Sequence, residues 1–253
     1  MSRKPAVIVP LYNYPLTPLT WEPLYKAILA SPDLEFIIVL NPDSGPGKPG
    51  NPSPDDNYAR EVPKLNALAN VCTLGYVRTD YCKRSFTTVC QDVAKYAEWS
   101  SQCSSSGLFV QGIFLDETPN EYGTTQASYL HRLGAYIKRA EGIQGRRLVI
   151  ANPGTPPQQG LHGPDTDVAI LFEQSYQRYV ACTMHEQRVL QNFEPPRAGY
   201  ILHSVPTNEV ASLVRELRVR AGYLFVTSLR HRYYESFGPC WEAFVEALRT
   251  ECA

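Results

Sequence analysis

Short apolar runs alternate along this chain with longer amphipathic stretches. Eight of the runs are short and rich in residues that favour strands, and helical stretches separate them. We predict strands at residues 6–10, 36–41, 71–77, 111–116, 148–152, 168–173, 200–204 and 223–228. Helical spacing of apolar positions is clearest at residues 125–141, 183–192, 208–221 and 241–251. The pattern therefore predicts repeated strand–helix units around a parallel sheet.

The number of units predicts an α/β fold, the (β/α)8 TIM barrel, as a single domain over residues 1–253. A chain of 253 residues with 43% hydrophobic content fits this fold. An open doubly wound sheet is the alternative, but its first strand is usually followed by a glycine-rich turn, and here the turn reads PLYNYP. The stretch NPDSGPGKPGNP lacks the Lys-Ser/Thr ending of a phosphate-binding loop, so we interpret it as a rigid loop at the barrel rim.

The balance of charges narrows the range of partners. The formal net charge is −1, and there is no basic stripe or tail, so we expect no nucleic-acid binding. The longest apolar runs, such as FIIVL, fall far short of the roughly 18 to 20 residues that span a bilayer, so we expect no transmembrane segment and no membrane partner. These features leave the oligomeric state open.

Seven cysteines bear on the redox compartment, and their odd number leaves at least one unpaired in a monomer. Cys82 with Cys90, or Cys90 with Cys103, could form a local disulfide. After MSRKP the chain continues directly into AVIVPLY, without the apolar region and small-residue cleavage site of a secretory signal. We therefore expect either an intracellular protein or one whose leader was removed, and the compartment stays open.

The fourth predicted strand stops abruptly in two adjacent acids, Asp116 and Glu117, in the sequence GIFLDE. A strand turns alternate side chains to opposite faces, so these two cannot point the same way unless the chain bends there. For an isolated Asp-Glu pair, an acid that caps the following helix is an equally good interpretation. A second apolar run, VAILFE, also ends in an acid, Glu173. Because barrel active sites lie at the carboxyl ends of the strands, we predict that Asp116, Glu117 and Glu173 are catalytic.

Other polar and aromatic residues follow the predicted strand ends and would share the same rim. We predict as substrate-binding residues Tyr12, Tyr14, Asn41, Tyr76, Thr79, Asn152 and His203. Tyrosine offers a flat apolar face and a hydroxyl group, which suits the stacking and hydrogen bonding of a sugar ring. Packing is the simpler interpretation of any one of them taken alone.

Other chemistries have little support in the sequence. The HEQR stretch at His185 is half of a zinc-protease motif, so we predict no metal site and no cofactor, and we place His185 on a helix surface. There is no G-x-S-x-G elbow and no cysteine in a recognisable catalytic context. His131 and His162 have no visible partners. His231, in LRHRYYE after the eighth strand, is interpreted as part of a surface loop.

Several long motifs resemble those of one known family. They are VPLYNYP, Trp21, IIVLNPDSGPG, Asn57-Tyr58, GYVRTDY with Arg84, Trp99 and GIFLDE, in matching order over nearly the whole chain. In these the chain is similar to the spherulation-specific family 4 (spherulin-type) proteins, classed as glycoside hydrolase family 135. The resemblance implies a (β/α)8 barrel that cleaves α-1,4-linked N-acetylgalactosamine in galactosaminogalactan. It also implies a secreted or surface location and a role in biofilm or cell-wall remodelling, and it maps the family's acids onto Asp116, Glu117 and Glu173.

These acids lead to a mechanistic hypothesis. The acetamido group of an α-linked sugar lies cis to the leaving oxygen, so an enzyme carboxylate should make the backside attack. We assign Asp116 as nucleophile, Glu173 as acid/base and Glu117 as substrate-orienting, and an exchange of roles between Asp116 and Glu117 stays open. A carboxyl separation of about 5 Å indicates retention, and one of about 6.5 to 9.5 Å indicates inversion. Burial of both acids in ion pairs with arginine would contradict the assignment.

A non-catalytic barrel that binds polysaccharide through a tyrosine-rich rim is the alternative function. The presence of three acids at strand ends opposes it. An acid–base sugar isomerase is a further alternative, but no phosphate-gripping loop or metal set follows the seventh and eighth strands. The resemblance implies an endo-acting glycosidase, and together with the three acids it leads us to predict a retaining glycoside hydrolase with a polysaccharide substrate.

Overall fold

Eight parallel strands close into a barrel in the computed structural model, which describes residues 4–47, 54–102 and 107–250. The strands pair in sequence order, and the last pairs back with the first. They are β1 (Ala6–Leu11), β2 (Phe36–Leu40), β3 (Val71–Arg78), β4 (Gly112–Asp116), β5 (Leu148–Asn152), β6 (Val168–Ser175), β7 (Ala198–His203) and β8 (Tyr223–Val226). The predicted (β/α)8 barrel is therefore confirmed.

Helices follow most of the strands. They are α1 (Glu22–Ala30), α2 (Asp56–Asn66), α3 (Phe86–Gln102), α4 (Thr124–Arg139), α5 (Tyr176–Val180), α6 (Met184–Gln191), α7 (Val210–Leu217) and α8 (Trp241–Arg249). Short 3₁₀ turns at Pro195–Arg197 and Thr207–Glu209 precede β7 and α7. Within the described ranges, no helix combines the length and apolar character needed to cross a bilayer.

The connection between β5 and β6 differs from the others. Residues 153–167, all of which the structure describes, contain no helix. The segment is rich in proline and glycine, the two residues that most disfavour a helix. A loop rather than a helix therefore links these two strands.

The predicted elements are all present, but their ends differ by up to a few residues. β6 continues two residues past its predicted end because Gln174 and Ser175 pair with Leu202 and His203 of β7. The helix predicted at residues 208–221 is α-helical only over Val210–Leu217 and is preceded by a 3₁₀ turn. Strand ends depend on pairing partners that are distant in sequence, so local pattern locates them poorly.

Apolar side chains fill both faces of the barrel sheet. Every residue of β2, the run FIIVL, is completely buried. On β3, Gly75 lets the Tyr96 ring of α3 lie directly on the strand, since a Cβ atom there would be 2.6 Å from that ring. Burial of a large apolar side chain contributes about 1.5 to 3 kcal/mol. This packing fixes the strands whose carboxyl ends carry the polar residues; we call that end of the barrel the mouth.

The described cysteines are all free thiols: Cys72, Cys82, Cys90, Cys182 and Cys240. The Cys82–Cys90 disulfide considered from the sequence is therefore not formed. Cys103 and Cys252, and with them the Cys90–Cys103 alternative, lie outside the described residues.

Candidate active site

Three polar side chains meet where β4, β5 and β6 reach the mouth. The side-chain amide of Asn152, at the end of β5, donates hydrogen bonds to both Asp116 Oδ1 (2.8 Å) and Glu173 Oε2 (2.6 Å). The sum of these distances, 5.4 Å, is an upper limit on the separation of the two acceptor oxygens. The structure thus brings together two of the predicted acids, and Asn152 links them.

The turn after β5 fixes both Asn152 and Glu173. Asn152 Oδ1 accepts a hydrogen bond from the backbone N–H of Gly154 (3.1 Å), so the amino group must face the carboxylates. The Gly154 carbonyl oxygen in turn accepts from the backbone N–H of Glu173 (3.0 Å). Gly154 has a φ of 67°, in the left-handed region that favours glycine. A single glycine turn therefore orients the amide and holds the backbone of the second acid.

An irregularity in β6 precedes Glu173. The pairing of β6 with β7 shifts by one residue between Ile170 and Phe172, so Leu171 is an extra residue in the strand. A bulge of this kind changes the face to which the following side chains point and is common beside active sites. It ends two residues before the acid that contacts Asn152.

The side chains of Asp116 and Glu117 have different partners, as expected for adjacent strand residues, and the chain also bends at Glu117. β4 ends at Asp116, and Glu117 has a φ of 52°, which is uncommon for a residue other than glycine. Asp116 Oδ2 accepts a hydrogen bond from the Tyr76 hydroxyl group (2.8 Å), whereas Glu117 Oε2 pairs with Arg78 Nε (2.7 Å). Of the three acids, only Glu117 has an arginine partner among the described residues. The described residues therefore do not show the arginine ion pairs that would contradict the assignment of Asp116 and Glu173.

Thr79 supports the bend from behind. It is fully buried, and its hydroxyl group donates to the carbonyl oxygens of Asp116 (3.1 Å) and Glu117 (2.8 Å). Its backbone N–H also donates to Asp116 O (2.9 Å). The predicted contact between Thr79 and a substrate is therefore not supported, because the hydroxyl group is buried and already bonded to the main chain.

Two tyrosines that the sequence analysis did not identify lie beside Glu173. The Tyr233 hydroxyl group donates to Glu173 Oε1 (3.4 Å), and its ring stacks on the predicted residue His203 with centroids 4.7 Å apart. The Tyr234 hydroxyl group donates to that of Tyr233 (2.9 Å). Both follow β8 in the LRHRYYE stretch, in which His231 is exposed as predicted. Their position in the loop between the eighth strand and the last helix, at the carboxyl end of a barrel strand, is the signal that could have identified them.

The predicted residues Tyr12 and Tyr76 form an aromatic wall of the mouth. The Tyr12 ring contacts Tyr76 edge-on at 5.5 Å and Tyr234 at 5.0 Å between centroids. Tyr76 is buried, and its hydroxyl group is bonded to Asp116. These rings therefore pack on one another beside the acids and are not open platforms.

Tyr14 and Asn41 lie on the β1 and β2 side of the rim. Tyr14 is 41% exposed, and its hydroxyl group donates to Asp55 (3.1 Å) and accepts from Asn57 (2.8 Å). Asn41 Oδ1 accepts from the backbone N–H of Gly45 (2.9 Å). In the described part of the chain, neither residue is hydrogen-bonded to the three acids.

Burial is the main electrostatic influence on the two linked acids. It raises the pKa of Glu173 to about 7; the charge of Asp116 adds to the rise, and hydrogen bonds from Asn152 and Tyr233 oppose it. Burial also raises the pKa of Asp116, against the hydrogen bonds from Tyr76 and Asn152. Glu173 is therefore partly protonated near neutral pH, which suits a group that both gives and takes a proton.

The side chains of the mouth offer carboxylates, an amide and phenols. Among residues 4–47, 54–102 and 107–250, no group of three His, Cys, Asp or Glu side chains is arranged to hold a metal ion. His185 is exposed on α6, where the sequence places it. The chemistry available at the mouth is proton transfer and nucleophilic attack by carboxyl groups.

Sequence comparisons relate the chain to known proteins. The family model for Spherulation-specific family 4 matches residues 6–248. Spherulin-4 of Physarum polycephalum is 28% identical over 235 residues, which are 87% of this chain and 62% of the Physarum protein. The chain therefore spans less than two thirds of the length of that relative.

Solved structures give a second comparison. The crystal structure of Aspergillus clavatus Sph3 in complex with GalNAc matches with a TM-score of 0.91 at 36% identity, over 98% of each chain. A trimodular endoglucanase of the GH5_4 subfamily matches with a TM-score of 0.51 at 10% identity, over 98% of this chain and 60% of that chain. At such low identity the second likeness indicates the fold alone.

Proposed function

The chain belongs to the spherulation-specific family 4, and on that premise we propose that it is an endo-acting glycoside hydrolase. Its proposed substrate is α-1,4-linked N-acetylgalactosamine in galactosaminogalactan-type polysaccharide, which implies a role in biofilm or cell-wall remodelling. The support for a sugar ligand is the likeness, at 36% identity, to Sph3 in complex with GalNAc.

The observation that carries the proposal is the amide of Asn152 between Asp116 and Glu173. The two acceptor oxygens lie within 5.4 Å of each other, which favours the carboxyl separation of about 5 to 5.5 Å in retaining glycosidases over the about 6.5 to 9.5 Å of inverting ones. The arrangement supports a retaining reaction that uses these two acids.

The proposed reaction has two steps. First, an oxygen of ionised Asp116 attacks the anomeric carbon to form a glycosyl ester, while the bond to the leaving oxygen breaks and that oxygen takes the proton of Glu173. Second, the Glu173 carboxylate takes a proton from water, the water oxygen attacks the anomeric carbon, and Asp116 leaves as a carboxylate. Tyr76 and Asn152 hold the nucleophile through their hydrogen bonds to its two oxygens. Glu117, paired with Arg78, orients the substrate.

The test is product release from purified galactosaminogalactan and from α-1,4-linked N-acetylgalactosamine oligomers, followed by mass spectrometry. We expect soluble oligomers from wild type but none from Asp116→Asn or Glu173→Gln. Tyr136→Ala is the control, because Tyr136 is 37% exposed on α4 and has no part in the site. Cleavage that survives in either amide variant would contradict the assignment of that acid.

A polysaccharide-binding barrel without catalysis is the other outcome of this test. A glycosidase should lose turnover in the amide variants while they still bind oligosaccharide. No product from wild type, together with binding that both amide variants lose, would favour the binding function and reject the hydrolase.

A further inference from the structure

The loop between β3 and α3 contains a left-handed turn made without glycine. Asp80, Tyr81 and Cys82 have φ values of 51°, 53° and 65°. Residues with a side chain visit this region singly and at a cost, and rarely in succession. The turn is closed by a hydrogen bond from Lys83 N to Asp80 O (2.8 Å). Strain of this kind persists only where the surrounding structure enforces it, and it is concentrated at functional sites.

The turn is attached to the acid-bearing bend of β4. The backbone N–H of Tyr81 donates to the carbonyl oxygen of Glu117 (2.6 Å). Behind it, the Arg84 guanidinium donates to Arg78 O (2.6 Å) and pairs with Asp92 (2.8 Å). The backbone of Tyr81 is therefore fixed next to Glu117, at the edge of the mouth.

The side chain of Tyr81 makes few contacts with the rest of the fold. Its ring is 52% exposed, and its hydroxyl group has no hydrogen bond to the described residues. Lys83 Nζ lies 5.7 Å from the ring centroid, a long cation–π distance. The neighbouring Cys82 is instead packed against the buried cluster of Ala127, Leu130 and Leu161. The turn thus anchors the Cys82 side chain inward and presents the Tyr81 ring outward on a fixed backbone.

An exposed ring on a fixed backbone beside a sugar site suits a pyranose. The C–H face of a pyranose packs on an aromatic face, and a phenol can also hydrogen-bond a sugar hydroxyl group. The Arg78 guanidinium, bonded to Glu117 and to Asp80, the residue before Tyr81, adds hydrogen-bond donors to this part of the rim. Tyr12 and Tyr76 are packed together, Tyr233 stacks on His203, and the exposed Tyr14 is bonded through its hydroxyl group to Asp55 and Asn57.

We propose that Tyr81 is the platform of an outer sugar subsite, which holds a unit of the polysaccharide away from the bond that is cut. The inference rests on the proposed function and adds to it a binding site that distinguishes long substrates from short ones. A subsite of this kind binds long substrates more tightly and leaves the reacting atoms unchanged. Its removal should therefore raise KM for long oligomers and leave kcat for the shortest cleavable oligomer unaffected.

The experiment compares Tyr81→Ala, Tyr81→Phe and Tyr81→Gly with Tyr136→Ala as the matched exposed tyrosine. KM, kcat and product lengths are measured on α-1,4-linked N-acetylgalactosamine oligomers of increasing length. We expect Ala and Gly to raise KM about tenfold on long oligomers only, and Phe to retain most of the affinity. Because glycine is unstrained at this φ, the Gly variant separates loss of the ring from loss of the turn.

Two results would overturn the inference. One is a Tyr81→Gly enzyme whose KM on long oligomers equals that of Tyr136→Ala. The other is a loss that is the same for every oligomer length. If wild type cleaves none of these oligomers, the proposed function fails, but the subsite can still be tested. The test is then the binding of the same oligomers to Asp116→Asn and to the double variant that also carries Tyr81→Ala. Weaker binding in the double variant supports the subsite, whereas equal or absent binding rejects it.

Discussion

At the scale of single residues, Glu173 is the group whose protonation should control the rate. Burial raises its pKa to about 7, so a proton donor at this position is lost above that pH. We expect kcat/KM on short oligomers to fall about tenfold per pH unit above about pH 7. Tyr233→Phe removes a hydrogen bond that lowers this pKa, so the fall should move to higher pH. A flat profile, or an unshifted one in the variant, would contradict the role of donor.

Asn152 is the second residue whose role can be isolated. Asn152→Asp puts a third carboxyl group between Asp116 and Glu173, where the wild-type amide donates to both. Like charges at such distances cannot all be ionised, so we expect kcat to fall by roughly 100-fold or more. Asn208→Asp makes the same change at an exposed position and is the control. Equal kcat values for the two variants, with unchanged melting temperatures, would exclude the bridging role.

The sequence allowed part of this site to be predicted. Asp116, Glu173 and Asn152 each end an apolar run, so barrel geometry alone places them at one end of the molecule. Tyr233 could not be paired with Glu173 in this way, because their contact requires the last loop to fold over the sixth strand. The burial of Thr79 could not be predicted from the sequence either, because the residues that cover it, Asp116 and Glu117, are far away along the chain.

At the scale of elements, the closest approach between neighbouring strands gives a test of the barrel. A Cβ atom on Gly112 of β4 would lie 2.1 Å from Leu148 O of β5, whereas one on Gly154 would meet no atom nearer than 3.8 Å. We expect Gly112→Ala to lower the free energy of unfolding by roughly 2 to 4 kcal/mol, by displacing backbone. Gly154→Ala should cost only about 1 kcal/mol of backbone strain. Equal urea midpoints for the two variants would contradict this difference.

The order and number of strands followed from local pattern, because each strand is an apolar run between polar segments. The bulge at Leu171 and the left-handed turn at Tyr81 could not be predicted from that pattern. Both are imposed by contacts with other elements, against what the local residues prefer. These two departures lie beside Glu173 and Glu117, two of the proposed catalytic acids, and departures from local preference are expected at functional sites.

At the scale of the whole molecule, the buried acid should make stability depend on pH. The pKa of Glu173 rises from 4.5 to about 7 on folding, so its contribution is complete below about pH 4.5 and is lost as the pH rises through about 7. The loss is up to about 3 kcal/mol. Glu173→Gln carries no such proton and should be more stable than wild type at about pH 8, with a smaller difference near pH 5. Urea unfolding of both proteins at the two pH values is the measurement; a difference that does not grow with pH would refute it.

The closed ring of strands is not joined equally strongly all the way round. β4 and β5 pair at five positions, but β5 and β6 pair at only two, and the loop between them supplies no helix. β8 and β1 also pair at two positions, but each of those strands is followed by a helix. The β5–β6 join is therefore the place where we expect the barrel to open first.

That join runs between the two acids, with Asp116 and Asn152 on one side and Glu173 on the other. Opening it would separate Asp116 from Glu173, the proposed catalytic pair, while most of the barrel stays folded. In a urea series, activity should then disappear before the circular dichroism of the helices, and amide hydrogens of β5 should exchange sooner than those of β2. Coincident curves would mean that the barrel opens only as a whole. If activity disappears first, local opening between these two strands is enough to abolish the proposed activity at urea concentrations well below those that unfold the molecule.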